Sequence, residues 1–118
     1  MDKYNGAVLV LENYLDGAIA DFESGNIDFE NMYAITNCIS AIKLLGSVDY
    51  LFYRDRMKEA IKNKVDKEIT DLNNGIEYYE SELKKDIIST EISNYMKCRI
   101  SQCQERIEYL KGLLKEEF

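Results

Sequence analysis

The chain contains no proline and spaces its apolar residues at intervals of three and four, which restricts its fold more than any other feature. Proline is the residue that most strongly interrupts a helix, and three-four spacing places apolar side chains along one helical face. The alternation of apolar and polar residues that is typical of strands is missing. The sequence therefore predicts an all-α fold, a small bundle of helices.

The first part of the chain predicts a helical hairpin. Its first helix is expected to end at Gly25, because glycine suits the left-handed residue that follows a helix. Asp28 is the expected N-cap of the second helix, which should end at Gly46. The predicted core stripes are Tyr4, Val8, Leu11, Leu15, Ala18, Ile19 and Phe22 in the first helix, and Met32, Ile35, Ile39, Ile42 and Leu45 in the second.

The remainder predicts a longer hairpin. Helical phase continues through Asn73–Gly75, so we expect one helix over about residues 49–88, straight or kinked at Gly75. Ser89 or Thr90 should then cap a final helix that ends near Lys115. In an antiparallel hairpin Leu83 and Ile87 would face inward. The predicted stripes are Tyr50, Tyr53, Met57, Ile61, Val65, Ile69, Leu72, Ile76 and Tyr79, and in the final helix Ile92, Met96, Ile100, Cys103, Ile107, Leu110 and Leu114, with Tyr95 beside them.

A length of 118 residues is that of one domain. We expect an acidic helical hairpin over residues 1–47 to pack on a coiled-coil-like antiparallel hairpin over residues 48–118. Residues 1–53 contain eight acids and two bases, whereas residues 54–118 contain fourteen acids and thirteen bases. The acidity of the protein is therefore concentrated in its N-terminal hairpin.

Several chemistries are excluded by composition. The chain has no histidine, which removes Ser-His and Cys-His catalysis and imidazole metal ligands. It has no glycine-rich phosphate loop, so we expect no enzyme, no catalytic residue and no cofactor.

Cys38, Cys98 and Cys103 are an odd number without CxxC spacing, which predicts buried or half-buried thiols in a reducing compartment. No signal peptide or membrane span is predicted, and we expect a cytoplasmic location, in a bacterium or a phage-infected host.

A metal-dependent enzyme is the alternative to this non-enzymatic interpretation. Glu77 and Glu80 form one ExxE motif, and Glu105 and Glu108 form a second. Paired ExxE motifs on facing helices bind Mg²⁺ or Mn²⁺, and a related arrangement occurs in all-helical nucleotide pyrophosphohydrolases of the MazG type. However, Glu105 and Glu108 point away from the apolar stripe of their helix, so we expect no metal.

An acidic face on the first helix is the main candidate for a binding surface. Glu12, Asp16 and Glu23 lie within about 40° of one another on a helical wheel. No lysine or arginine is interleaved with them, and we expect them to face solvent. The acidity continues around the adjoining turn with Asp21, Asp28 and Glu30.

Phe52 is the second candidate. It lies on the opposite side of its helix from Tyr50, Met57 and Ile61, next to Val48. The common outcome for such a ring is burial, here under the N-terminal hairpin. If it is not covered, Phe52 is an anchor for another protein.

These features predict a small acidic regulator or inhibitor that binds a larger protein. Clustered carboxylates compete with phosphates, so a nucleic-acid enzyme with a basic groove is the expected partner, and direct binding of nucleic acid is not expected. Residues with AT-rich codons (Phe, Tyr, Met, Ile, Asn, Lys) outnumber Gly, Ala, Arg and Pro by 50 to 16. This bias suits a phage or mobile element and an anti-CRISPR or host-takeover role. An assembly module that forms a coiled-coil homodimer is the alternative.

Overall fold

The structure is a computed structural model that describes residues 5–85 and 87–116. Within these residues it contains four α-helices, a short 3-10 helix and no strand, so the predicted all-α fold is confirmed. Tyr4, which opens the first predicted stripe, lies outside the described residues. The elements are α1 (Asn5–Glu23), the 3-10 helix (Phe29–Asn31), α2 (Tyr33–Leu44), α3 (Tyr50–Leu83) and α4 (Thr90–Leu113).

Both glycines expected to end the first two helices do so. Gly25 and Gly46 have φ angles of 90° and 89°, the left-handed region that glycine occupies without steric cost. The prediction for Asp28 is wrong in one respect. Its carboxylate accepts a hydrogen bond of 3.1 Å from the backbone N–H of Asn31, so it caps the 3-10 helix, and α2 begins only at Tyr33.

The described chain divides into two compact units, one reaching Lys62 and the other spanning Asn63–Glu116. The first unit contains α1, α2 and the beginning of α3, and the boundary lies inside α3. Both predicted stripes of the N-terminal hairpin supply its core, and the first turns of α3 add to it. Buried here are Leu15, Ala18, Ile19, Phe22, Phe29, Met32, Ile35, Cys38, Ile39, Ile42, Tyr53, Met57, Ala60 and Ile61.

The second unit is a hairpin of the later part of α3 and α4. Arg106 donates a hydrogen bond of 2.9 Å to Glu68, and Arg99 lies near Tyr79. The later residue of α3 pairs with the earlier residue of α4, which makes the two helices antiparallel as predicted. The predicted continuity of α3 through Asn73–Gly75 is confirmed. The buried residues are Val65, Cys103, Ile107, Leu110 and Leu113.

The break before α4 lies where the sequence places it, but its surroundings differ. The Ser89 hydroxyl accepts a hydrogen bond of 3.1 Å from the backbone N–H of Ile92, which confirms Ser89 as the N-cap. The prediction that Ile87 faces inward is wrong, since α3 already ends at Leu83 and Ile87 is 96% exposed in the connection.

Two residues of the stripe predicted for α4, and Tyr95 beside it, also differ from expectation. Leu114 is 46% exposed, and Leu113 is buried in its place. Both residues match helical spacing from Leu110, so the pattern alone did not discriminate between them. Ile92 and Tyr95 are exposed near the beginning of α4.

Candidate protein-binding surface

Two acidic residues of α1 make side-chain contacts with the turn before α3 and with α3 itself. The Ser47 hydroxyl donates a hydrogen bond of 2.9 Å to Glu12. Arg56 donates one of 2.6 Å to Glu23, with which it forms an ion pair. Asp16 and Glu23 are exposed as expected, whereas Glu12 is half-buried, and Glu23 has a basic neighbour on α3. The spacing within α1 shows which acids share a face but not which residues of α3 lie opposite.

Asp16 completes this set of contacts. The hydroxyl of the buried Tyr53 faces the Asp16 carboxylate. Burial, the interaction with Asp16 and the negative charges of Asp16, Glu12 and Asp49 raise the pKa of Tyr53 to about 12. Three carboxylates thus favour the neutral form of this phenol over the phenolate.

The other predicted acids lie in the last turn of α1, near Glu23, and in the residues that follow the helix. Asp21 and Glu30 are exposed. The Asp28 carboxylate also accepts a hydrogen bond of 2.6 Å from the side-chain amide of Asn31. The structure therefore divides the predicted acidic surface into two groups: Glu12, Asp16 and Glu23 contact α3 or the turn before it, and Asp21, Asp28 and Glu30 surround the turn after α1.

Phe52 is not covered by the N-terminal hairpin, so that expectation is wrong. The ring is 61% exposed and contacts the edge of Tyr53, with 5.2 Å between the ring centroids. Val48 is 79% exposed, and Leu44 and Leu51 are exposed beside it in the sequence. We call Leu44, Val48, Leu51 and Phe52 the α2–α3 corner. Leu44 and Leu51 were not predicted to be exposed. The sequence carried a signal for Leu44: its neighbour Leu45 fits the apolar stripe of α2, and two adjacent residues cannot both lie on one stripe.

A cleft of about 280 Å³ lies beside this corner, within the first unit. Polar groups, including two carboxylates, form more of its lining than apolar groups do, and the apolar part comes from the beginning of α1 and from the α2–α3 turn. The lining residues are Asn5, Val8, Leu9, Glu12, Leu45, Gly46, Ser47, Val48 and Asp49.

The four ExxE glutamates are exposed. Glu108 lies 3.8 Å from Lys111, an ordinary pair on a helix surface. In residues 5–85 and 87–116 no group of three or more His, Cys, Asp or Glu side chains is placed to hold a metal ion. The positions of Glu77, Glu80, Glu105 and Glu108 therefore offer no support for the metal-dependent alternative.

The three cysteines are free thiols. Cys38 and Cys103 are buried as expected, whereas Cys98 is exposed, so the prediction is wrong for Cys98. The Cys38 thiol lies 3.7 Å from the Leu11 carbonyl oxygen, and burial raises its pKa.

No protein family, curated protein or solved structure matches this chain. In the part of the chain that the structure describes, no helix has both the length and the apolar character needed to cross a membrane.

Proposed function

We propose that this protein is a regulator that binds a larger protein and docks on it through the α2–α3 corner. The observation that supports this proposal is the exposure of four large apolar side chains within nine residues, among them Phe52 and Val48. A single exposed apolar residue is ordinary, whereas a group of them around one turn is typical of an interaction site. Phe52 is the anchor, since aromatic residues contribute most to such contacts.

The charge around the corner indicates the nature of the partner. Residues 5–53 contain seven acids and one base, Lys43. Glu12 and Asp49 line the cleft beside Val48, and a partner with an apolar depression and a basic rim would match the corner and these carboxylates. Binding should weaken with salt without disappearing, because salt screens the rim and leaves the apolar contact.

Inhibition of a nucleic-acid enzyme by phosphate mimicry is the more specific form of the proposal. The contacts of Glu12, Asp16 and Glu23 weaken its original basis, because their charges are partly satisfied within the chain. Asp21, Asp28 and Glu30 are exposed acids at the end of α1 and in the residues that follow it. A cytoplasmic, phage-encoded or anti-CRISPR-like inhibitor stays a prediction from composition and charge.

Affinity capture with matched variants tests the docking surface. The chain offers a close control for Phe52, since Tyr78 lies on the same helix with the same 61% exposure. Each ring also makes an edge contact with the tyrosine that follows it. We expect a protein retained from a lysate of the source organism or its host to be lost with Phe52→Ser and kept with Tyr78→Ser. Equal retention by both variants would contradict docking through the corner.

A homodimer is the second candidate function, supported by a different group of exposed side chains. Ile87, Ile92 and Tyr95 are exposed at the end of the second unit where α3 connects to α4. Light scattering over a hundredfold range of concentration distinguishes the two candidates. A mass that doubles with concentration, and stays at 13.7 kDa in Ile92→Ser/Tyr95→Ser, would favour the assembly module.

A further inference from the structure

We propose that the cleft beside the α2–α3 corner binds one lysine or arginine side chain of the partner. This inference rests on the proposed function, because Val48 belongs to both the corner and the cleft. A partner whose apolar group covers Phe52 and Val48 would therefore place a neighbouring residue at the cleft.

The size and walls of the cleft fit a single long side chain. Its volume of about 280 Å³ is below the roughly 300–1,000 Å³ of typical small-molecule pockets. Val8, Leu9 and Leu45 supply apolar surface. Lysine and arginine carry long methylene stems that pack on such surfaces while their charged ends reach a polar group.

The charged groups of the cleft are both acidic. Glu12 is half-buried and uses one carboxylate oxygen to accept from Ser47. A carboxylate has about four acceptor positions, so this hydrogen bond leaves acceptors for a ligand. Asp49 is exposed at the rim. A cation in the cleft would meet two carboxylates and an apolar wall.

Among the described residues of the first unit, the three bases close in sequence to the α2–α3 turn are engaged elsewhere. Lys43 lies 5.5 Å from the centroid of the Tyr50 ring. Arg54 pairs with Asp55 at 3.2 Å, and Arg56 pairs with Glu23. These three bases do not line the cleft. Because the negative charge of the cleft is not matched by them, a basic residue of a partner is the complementary occupant.

The test uses a dipeptide probe and needs no partner. Acetyl-Leu-Arg-amide is titrated into the ¹⁵N-labelled protein, and acetyl-Leu-citrulline-amide serves as the neutral control of nearly the same shape. We expect saturable shifts of the amides of Leu9, Gly46, Ser47 and Val48, with a Kd in the millimolar range. The citrulline probe should bind at least tenfold more weakly, and 0.5 M salt should weaken only the arginine probe.

Two variants test whether Asp49 supplies negative charge to the bound probe. Asp49→Asn should weaken the arginine probe at least threefold, because it removes the negative charge and keeps the shape of the side chain. Asp21→Asn changes an exposed acid that does not line the cleft, and it should leave the affinity unchanged. Equal binding of the two probes, no saturable shift, or no effect of Asp49→Asn would overturn the inference.

The two proposals fail in different ways. If only the cleft inference is wrong, the dipeptide does not bind but capture still depends on Phe52. If only the docking proposal is wrong, the dipeptide binds at the cleft while Phe52→Ser and Tyr78→Ser retain the same proteins.

Discussion

At the scale of single residues, Tyr53 links the acidic face of α1 to α3. Its ring is buried, and its hydroxyl faces Asp16, with Glu12 and Asp49 acting on it over a longer distance. Each of these carboxylates favours the neutral phenol over the phenolate. Glu12 and Asp16 of α1 therefore interact with α3 inside the folded chain, in addition to any contact with a partner.

The raised pKa of Tyr53 predicts a loss of stability at alkaline pH. The folded chain holds the proton to about pH 12, whereas the unfolded chain releases it near pH 10. The contribution of Tyr53 is therefore complete below pH 10 and is lost between pH 10 and 12. We expect the free energy of unfolding to fall in this range by on the order of 2 kcal/mol from this group.

Urea unfolding at pH 8, 10 and 11.5 measures that fall. In Tyr53→Phe the free energy of unfolding should already be lower at pH 8, by about 1 kcal/mol for the lost interaction of the hydroxyl with Asp16. Its further decrease toward pH 11.5 should be smaller than in the unchanged protein. An identical alkaline decrease in both proteins would show that another group titrates.

At the scale of elements, α3 holds a glycine in its interior. Gly75 follows two asparagines, yet the helix continues through all three residues. A helix with glycine in its interior is less stable than one with alanine there, because glycine loses more conformational freedom when the chain folds. A Cβ atom built at Gly75 meets nothing within 4 Å. Helix propensity is therefore the main quantity that a substitution changes there.

We predict that Gly75→Ala raises the free energy of unfolding by about 0.5–1 kcal/mol. Gly25→Ala is the matched control, since its Cβ also meets nothing within 4 Å but its φ angle is 90°. A residue with a Cβ atom in this conformation costs about 1–2 kcal/mol. Thermal unfolding of both variants checks this, and a stabilised Gly25→Ala would contradict the assigned helix end.

The end of α4 gives a second comparison, between two adjacent leucines. Leu113 is 3% exposed and Leu114 is 46% exposed. We expect Leu113→Ala to cost about 2–5 kcal/mol, the range for a buried leucine that leaves a cavity. Leu114→Ala should cost less than about 1 kcal/mol. Chemical denaturation measures both, and the reverse order would restore the register that the sequence predicted.

At the scale of the whole molecule, the core is unequally distributed. Of the nineteen buried hydrophobic residues in the described chain, fourteen lie in the first unit and five in the second. Apolar burial is the main stabilising contribution in folding. The second unit is the long hairpin with fewer buried side chains, and we expect it to open first under denaturing conditions.

The cysteines can test which unit opens first, because each unit buries one thiol: Cys38 in the first unit and Cys103 in the second. Cys98 should react with a thiol reagent at once, and Cys98→Ser should remove that fast reaction. In this background we predict that Cys103 becomes reactive at a lower urea concentration than Cys38. The two are resolved by mass spectrometry of the labelled peptides. Simultaneous reaction would show that the units unfold together, and earlier labelling of Cys38 would reverse the assigned order.

The sequence by itself determined the helices and most of their inner faces. Proline is absent, apolar spacing is regular, and Gly25, Gly46 and Ser89 mark ends that depend on local backbone chemistry. Local interactions of this kind act within a few residues of the chain, so a pattern can report them. The outward direction of Phe52 was also visible in the helical phase of α3.

The tertiary structure decided what meets each outer face. Glu12, Asp16 and Glu23 are an uninterrupted acidic face on the wheel, but Ser47, Tyr53 and Arg56 lie opposite them in the folded chain. Likewise, only packing leaves Phe52 exposed and creates the cleft beside Val48. The angle of a side chain on its helix is set by periodicity, whereas its neighbour from a distant segment is set by how the helices assemble.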